Sequence, residues 1–294
     1  MSKILVTGAS GHLGQAVIRH LLESYSVPAA NIVAASRDTA KLSDLAAKGV
    51  ETRAADFDDS ASLEKAFTGI DTLLIISTDA LAVPGQRLKQ HQAAVAAAQK
   101  AGVKHIAYTS MPNPDKSLVT FAPDHLGTEE AVKASGLPYT ILRNAWYLDN
   151  YIHAMPHNLE TGTWYTATAD GKVSNISRDD CARAAAAVLA KGKAENKIYT
   201  LTGPELLDAD EIAALVSKAT GKPLATVKVS ADDLRKGIES AGMPGFVAAM
   251  LASANANIAA GNFELLTNDY ETLTGKKPQT SAEFFEENKA ALVG

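Results

Sequence analysis

Gly8, Gly11 and Gly14 fall three residues apart in Ile4-Leu-Val-Thr-Gly-Ala-Ser-Gly-His-Leu-Gly14, between two apolar runs. Glycines so placed can cradle a phosphate. The first, at a strand exit, permits a backbone angle that other residues resist, and the second lets the main chain approach a pyrophosphate. The third lets a helix pack tightly on the strand. Ser10, His12 and Leu13 complete the loop, where unpaired N–H groups and the positive end of a helix dipole favour an anion. The spacing is G-x-x-G-x-x-G, not G-x-G-x-x-G, and in a chain of 20 glycines a triplet alone is weak. Its setting gives it weight. Residues 3–7 read as a short strand, and residues 15–22 carry helical spacing through Val17, Ile18, Leu21 and Leu22. Strand, glycine turn and helix make a dinucleotide cradle.

The end of a second strand, expected over Asn31–Ser36, bears on which dinucleotide. An acidic residue there bonds a ribose 2′-hydroxyl and favours NAD, whereas an arginine accepts the 2′-phosphate of NADP. Here the strand ends Ser36-Arg37, and Asp38 comes one place too late. NADP(H) is therefore the expected cofactor, with Arg37 on the 2′-phosphate and Ser36 beside it. Asp56, ending the third strand, could meet the adenine edge or simply cap the next helix. Farther on, a sixth strand over 137–143 emerges into Asn144-Ala-Trp-Tyr147, and ligands of open α/β sheets bind beyond the carboxyl ends of strands. Asn144, Trp146 and Tyr147 are thus placed to line a substrate pocket.

The elements that must position these residues alternate. Short apolar runs near residues 32, 50, 73 and 105 are separated by helical segments at 41–48, 60–67 and 85–101. The unbroken apolar run 73–76 suits a strand covered on both faces. This pattern predicts an α/β fold, a Rossmann-type doubly wound parallel sheet with a smaller C-terminal substrate lobe. Residues 1–151 form the expected NADP-binding domain. Residues 152–294 form mainly the lobe, with a segment near 175–202 returning to the sheet. A last helix carries Phe284-Phe285.

Other constellations are weaker. His153 and His157 have the i,i+4 spacing of a metal pair, but Pro156 is expected to break the helix that spacing requires, so no metal is assigned. Ser110 lacks a nucleophile elbow. The formal charge of −5 and the absence of clustered Lys and Arg argue against nucleic acid as a partner. No apolar stretch approaches the ~20 residues of a membrane span. Met1-Ser-Lys runs straight into the first strand, which leaves no room for a signal peptide. The lone cysteine, Cys181, forms no intrachain disulfide and is expected to be buried, and a cytoplasmic setting is the default. A homodimer remains open.

Gly8-Ala-Ser-Gly-His-Leu-Gly14, Lys104-His-Ile-Ala-Tyr-Thr-Ser110, Leu137-Pro-Tyr-Thr-Ile-Leu-Arg-Asn144 and Trp146-Tyr-Leu-Asp-Asn-Tyr151 resemble the NmrA-like branch of the atypical short-chain dehydrogenase/reductases, over essentially the whole chain. The likeness is greatest to its flavin-free quinone and triphenylmethane-dye reductases. It implies a Rossmann fold, NADPH as hydride donor, and a quinone or related planar conjugated acceptor. Azo-dye reduction and a non-catalytic NADP(H)-binding redox sensor are the alternatives. By the same resemblance Ser77, ending the fourth strand, lies along the nicotinamide ribose. Ordinary members of the superfamily use a Tyr-x-x-x-Lys pair, which this chain lacks: four residues beyond Tyr139 and Tyr147 stand Arg143 and Tyr151. That absence disfavours sugar-nucleotide epimerisation. Related plant reductases place a lysine where this sequence has His125, so His125 is the expected proton donor, since a free imidazole titrates near neutrality.

Overall fold

The structure, a computed structural model, describes residues 2–192 and 195–294. Its first half runs β1 (Ile4–Val6), α1 (His12–Glu23), β2 (Ile32–Ser36), α2 (Ser43–Ala47), β3 (Glu51–Ala54), α3 (Ser60–Phe67), β4 (Thr72–Ile75), α4 (Gln86–Lys100), β5 (His105–Ser110), α5 (Ala122–Ala134) and β6 (Tyr139–Asn144). The second half begins with α6 (Asn150–Thr161), β7 (Thr163–Thr166), α7 (Arg178–Lys191), β8 (Lys197–Leu201), α8 (Ala209–Thr220) and β9 (Ala225–Lys228). It closes with α9 (Ala231–Ser240), α10 (Gly245–Ala259), α11 (Asp269–Thr274), α12 (Ser281–Glu287) and α13 (Lys289–Val293).

Seven strands form one parallel sheet in the order β3-β2-β1-β4-β5-β6-β8. This is the Rossmann-type fold expected. The strand order reverses between β1 and β4, where successive crossovers go to opposite faces and leave a crevice at the carboxyl ends. Side-chain alternation along β1 explains why the sheet is buried twice over. Ile4 and Val6 join a core with Val17, Ile18 and Leu21 of α1 and the alanines of α7. Leu5, between them, joins the opposite core with Leu63 and Phe67 of α3 and Val95 and Ala98 of α4. The alanines of α7 let that helix lie close to both α1 and the sheet. Cys181 is buried among them.

A third core, with Tyr151, Met155, Leu159, Ile212, Phe263, Phe284 and Phe285, gathers most of the later elements beside the carboxyl edge of the sheet. There β7 and β9 pair in a small parallel sheet of their own, while β8 lies at the edge of the main one beside β6.

Three local expectations need correction. The first helix starts at His12 rather than Gln15, so His12, Leu13 and Gly14 lie in its opening turn. Phe284 and Phe285 lie in α12, and α13 follows. Pro156 does not break α6; the helix runs through it from Asn150 to Thr161. Packing of Tyr151, Met155 and Leu159 into the third core holds the helix on both sides of the missing N–H. No helix among the described residues is long and apolar enough to cross a membrane.

Candidate active site

The glycine loop divides its tasks by geometry. Gly8 has φ +58°, which only glycine adopts easily. Gly11 is the N-cap of α1 and its N–H donates to the Gly8 carbonyl at 3.0 Å. A Cβ on Gly14 would stand 2.4 Å from that same carbonyl oxygen, so Gly14 is what lets α1 approach β1. A groove of about 470 Å³ opens in front of the loop, lined by Gly8, Ser10, Gly11, Ser36, Arg37 and Asp56 on one side. His12, Leu13 and Gly14 do not line it: His12 is exposed, Leu13 packs against the core and Gly14 lies beneath the loop.

Around this groove the side chains carry polarity in a consistent order. The Ser10 and Ser36 hydroxyls are hydrogen bonded at 2.9 Å. Arg37 is exposed at the rim, with no carboxylate partner among the described residues. Asp38 turns away and accepts the Ala40 N–H at 3.0 Å, capping the next turn. Asp56 reaches the groove, yet its Oδ1 accepts the Asp58 N–H at 3.0 Å, so it also serves as a turn residue.

The crevice is held open at the end of β4 by three side chains. Where the chain leaves the sheet, the N–H groups of Ile76, Ser77 and Thr78 lose strand partners. They donate instead to Thr7 Oγ1, Thr109 Oγ1 and His91 Nε2, each at 2.9 Å. Neighbours just after β1, on β5 and on α4 thus satisfy a half-buried backbone that no ladder reaches. Ser77 lines the groove and also a second cavity of about 690 Å³. The two spaces meet at that residue.

The second cavity is mostly apolar. Met111, Phe121, Trp146, Met250 and Phe263 are among its walls, with Trp146 and Phe263 ring centroids 6.0 Å apart. Asn144 and Tyr147 lie together in it, as their sequence position suggests. The Asn144 amide donates to the Tyr147 hydroxyl at 2.8 Å, while Asn144 Oδ1 is buried without a partner. Burial pushes the Tyr147 phenol above its ordinary value, although the Arg178 guanidinium lies 5.1 Å over its ring. Ser110 is no free nucleophile: it donates at 2.7 Å to Glu129, which Arg143 grips through two hydrogen bonds.

His125 is also at the cavity, but its surroundings oppose the expected proton donor. Arg87 Nη2 is 3.1 Å from Nε2, and an arginine can only donate, so Nε2 must accept. The ring proton then sits on Nδ1, 2.8 Å from the Tyr108 hydroxyl. Burial and the neighbouring Arg87 charge hold the imidazole well below its usual pKa. That shift favours the neutral ring and opposes a role as proton donor near neutrality. Arg87 and Tyr108 were invisible as site residues in the sequence, because the first turn of a helix and a buried strand are ordinary places for them. The contributions of α9, α10 and the turn between them, Ile238, Val247 and Met243 among them, carry no sequence signal either. His153 and His157 both line the cavity from the intact helix. No group of three metal-binding side chains occurs among the described residues.

A model of the NmrA-like family matches residues 1–285. The chain belongs to the NmrA-like family. Within it, Quinone oxidoreductase 2 of Escherichia coli is 40% identical over 271 residues, spanning 92% of each chain. An NAD(P)H azoreductase of Xenophilus azovorans is 30% identical over 290 residues, 98% of this chain and 99% of its own. Among solved structures, the NADPH complex of the Escherichia coli NADPH-dependent quinone oxidoreductase superposes with a TM-score of 0.92 at 38% identity, covering 97% of this chain and 99% of that one. A Citrobacter triphenylmethane reductase complexed with NADP(H) gives 0.91 at 36% identity, covering 98% and 100%.

Proposed function

We propose that this protein is an NADPH-dependent, flavin-free oxidoreductase that passes hydride directly to a quinone or a related planar conjugated acceptor. One observation carries the reading: a polar groove fronted by a glycine loop joins a large apolar, aromatic-walled cavity at a single residue, Ser77. The groove has what the dinucleotide needs, namely the Gly8–Gly11 turn at a helix N-terminus for the pyrophosphate and an unpaired Arg37 at the rim for the 2′-phosphate. Ser77 at the junction suits the nicotinamide ribose. NADPH supplies the hydride when bound, and the protein's share is to orient donor and acceptor against a mostly apolar wall. We assign residues 1–151 chiefly to the cofactor and the lobe within 152–294 chiefly to the acceptor.

In this reading Asn144 and Tyr147 orient the acceptor, and His125 positions Arg87 and Tyr108 instead of donating a proton. A hydroquinone anion is stable enough to take its proton from solvent. The 30%-identical azoreductase and the triphenylmethane reductase keep azo and triphenylmethane dyes within the acceptor class to be tested. A cytoplasmic protein working as a homodimer remains the expectation that goes with this activity. The test is to follow NADPH absorbance with panels of quinones, triphenylmethane dyes and azo dyes. Turnover of a quinone is the expected result. Tight NADPH binding with turnover of none would replace the enzyme by an NADP(H) sensor.

A further inference from the structure

Arg87 sits in the first turn of α4 as a buried cation without an anion beside it. It is 5% exposed and forms part of the wall of the apolar cavity. Nε donates to the Thr78 carbonyl at 2.8 Å, Nη2 donates to His125 Nε2, and the guanidinium carbon lies 4.9 Å over the Phe121 ring. Nη1 is buried with no hydrogen-bond partner. The groups that face it from neighbouring elements are Tyr108 on β5, Asp124 on α5, Tyr147 after β6 and Asp79 ahead of α4, and all four act on it through space only.

Burying a guanidinium against neutral acceptors destabilises a fold, and a phenyl face offsets only part of the lost hydration. Such a group calls for a reason. Its neighbours in the cavity sharpen it. Asn144 Oδ1 is an acceptor and would repel an anion, and the Tyr147 phenol and His125 are neutral. His153 and His157 also line the space, but Arg87 is the one arginine or lysine among the described residues that do.

We propose that Arg87 is the charge that stabilises the anion formed when a neutral acceptor in this cavity takes up hydride, an inference that rests on the reading above. NADPH is oxidised to NADP⁺ as the C–H electron pair leaves with the hydrogen. The quinone, reduced by that pair, becomes the hydroquinone monoanion, and a solvent proton then completes the hydroquinone. Negative charge therefore develops on the acceptor before any proton arrives. An apolar wall screens it poorly, so a fixed guanidinium there lowers the barrier more than it could in water. The two hydrogen bonds and Phe121 keep the guanidinium in place, so the charge need not reorganise during the step.

Arg87→Met and Arg87→Lys, assayed with para-benzoquinone, test this. The Met variant is expected to lose about 100-fold in kcat with KM little changed, since the interaction exists only once charge develops. The Lys variant keeps the charge but not the fork of hydrogen bonds, and is expected to recover most of that loss. Para-nitrophenol, added to the protein with NADP⁺, reports the field directly: its visible absorbance should titrate at lower pH in the wild type than in the Met variant. Unchanged kcat in the Met variant, equal loss in Met and Lys, or identical nitrophenol titrations would each overturn the proposal. A wild type that reduces no quinone would instead overturn the function proposed above, while the nitrophenol comparison would still read the effect of Arg87.

Discussion

Arg37 and Arg87 are two arginines of opposite character. Arg37 is exposed and unpaired at the rim, so its loss should matter only to a ligand that brings a phosphate to it. Charge-assisted hydrogen bonds of this kind contribute about 1.5–3 kcal/mol, so Arg37→Ala should weaken NADPH by roughly 10- to 100-fold and leave NADH almost unchanged. Protein fluorescence titrated with each nucleotide measures both affinities, and an equal loss for the two would displace the 2′-phosphate site from Arg37. Asn144 offers a second measurement at the same scale. Tyr147→Phe removes the acceptor of its amide and leaves a buried donor unpaired, a change that should destabilise the protein by about 1–3 kcal/mol. A lowered melting temperature is the expected outcome. The acceptor role of Asn144 and Tyr147 would show separately, as a rise in KM.

At the scale of elements, the binding groove depends on how closely α1 can approach β1. Gly14→Ala would drive a methyl into the Gly8 carbonyl, and neither backbone can yield without moving the loop. Overpacking of this sort costs about 1–3 kcal/mol. The variant should melt earlier and bind NADPH much more weakly; normal binding would show that the helix can shift without disturbing the loop. The same scale explains why Pro156 misleads. A proline inside a helical pattern usually ends it, but α6 is anchored by Tyr151 before the proline and Leu159 after it. Local propensity was overruled by burial on a core that no local pattern reveals.

Across the whole molecule, buried neutral histidines tie stability to pH. His91 is lowered to about 3 by burial and the Arg87 charge, His105 to about 4 by burial, and His125 lies well below its ordinary value. Each is protonated more readily in the unfolded chain, where an unperturbed imidazole titrates near 6.5. Stability should therefore be full above that value and fall as pH drops toward 4, by up to about 1.4 kcal/mol per pH unit for each histidine. Melting temperatures over that range check it. His105→Gln, remote from the cavity on β5, should flatten the curve. An acid limb unchanged in that variant would mean that other groups set it. His125 should contribute no ionisation near neutrality to the pH profile of turnover.

The amino-acid sequence by itself determined the dinucleotide half of the protein. Apolar runs, glycine spacing and the residue ending β2 are local in the chain, and backbone sterics translate them directly into a strand, a turn and a helix N-terminus. The order of elements was enough for a parallel, doubly wound sheet. The location of Asn144 and Tyr147 at the second cavity was legible too, because a strand exit in such a sheet opens on the crevice. Long-range packing, by contrast, set the surroundings of the residues around the second cavity. Gly14 packs beneath the loop rather than in the groove, burial and Arg87 hold the His125 imidazole well below its ordinary pKa, and Arg87 lines the cavity together with residues of β5, α5 and α10. Burial and electrostatic field are sums over neighbours far apart in the chain, and a linear sequence does not carry those sums.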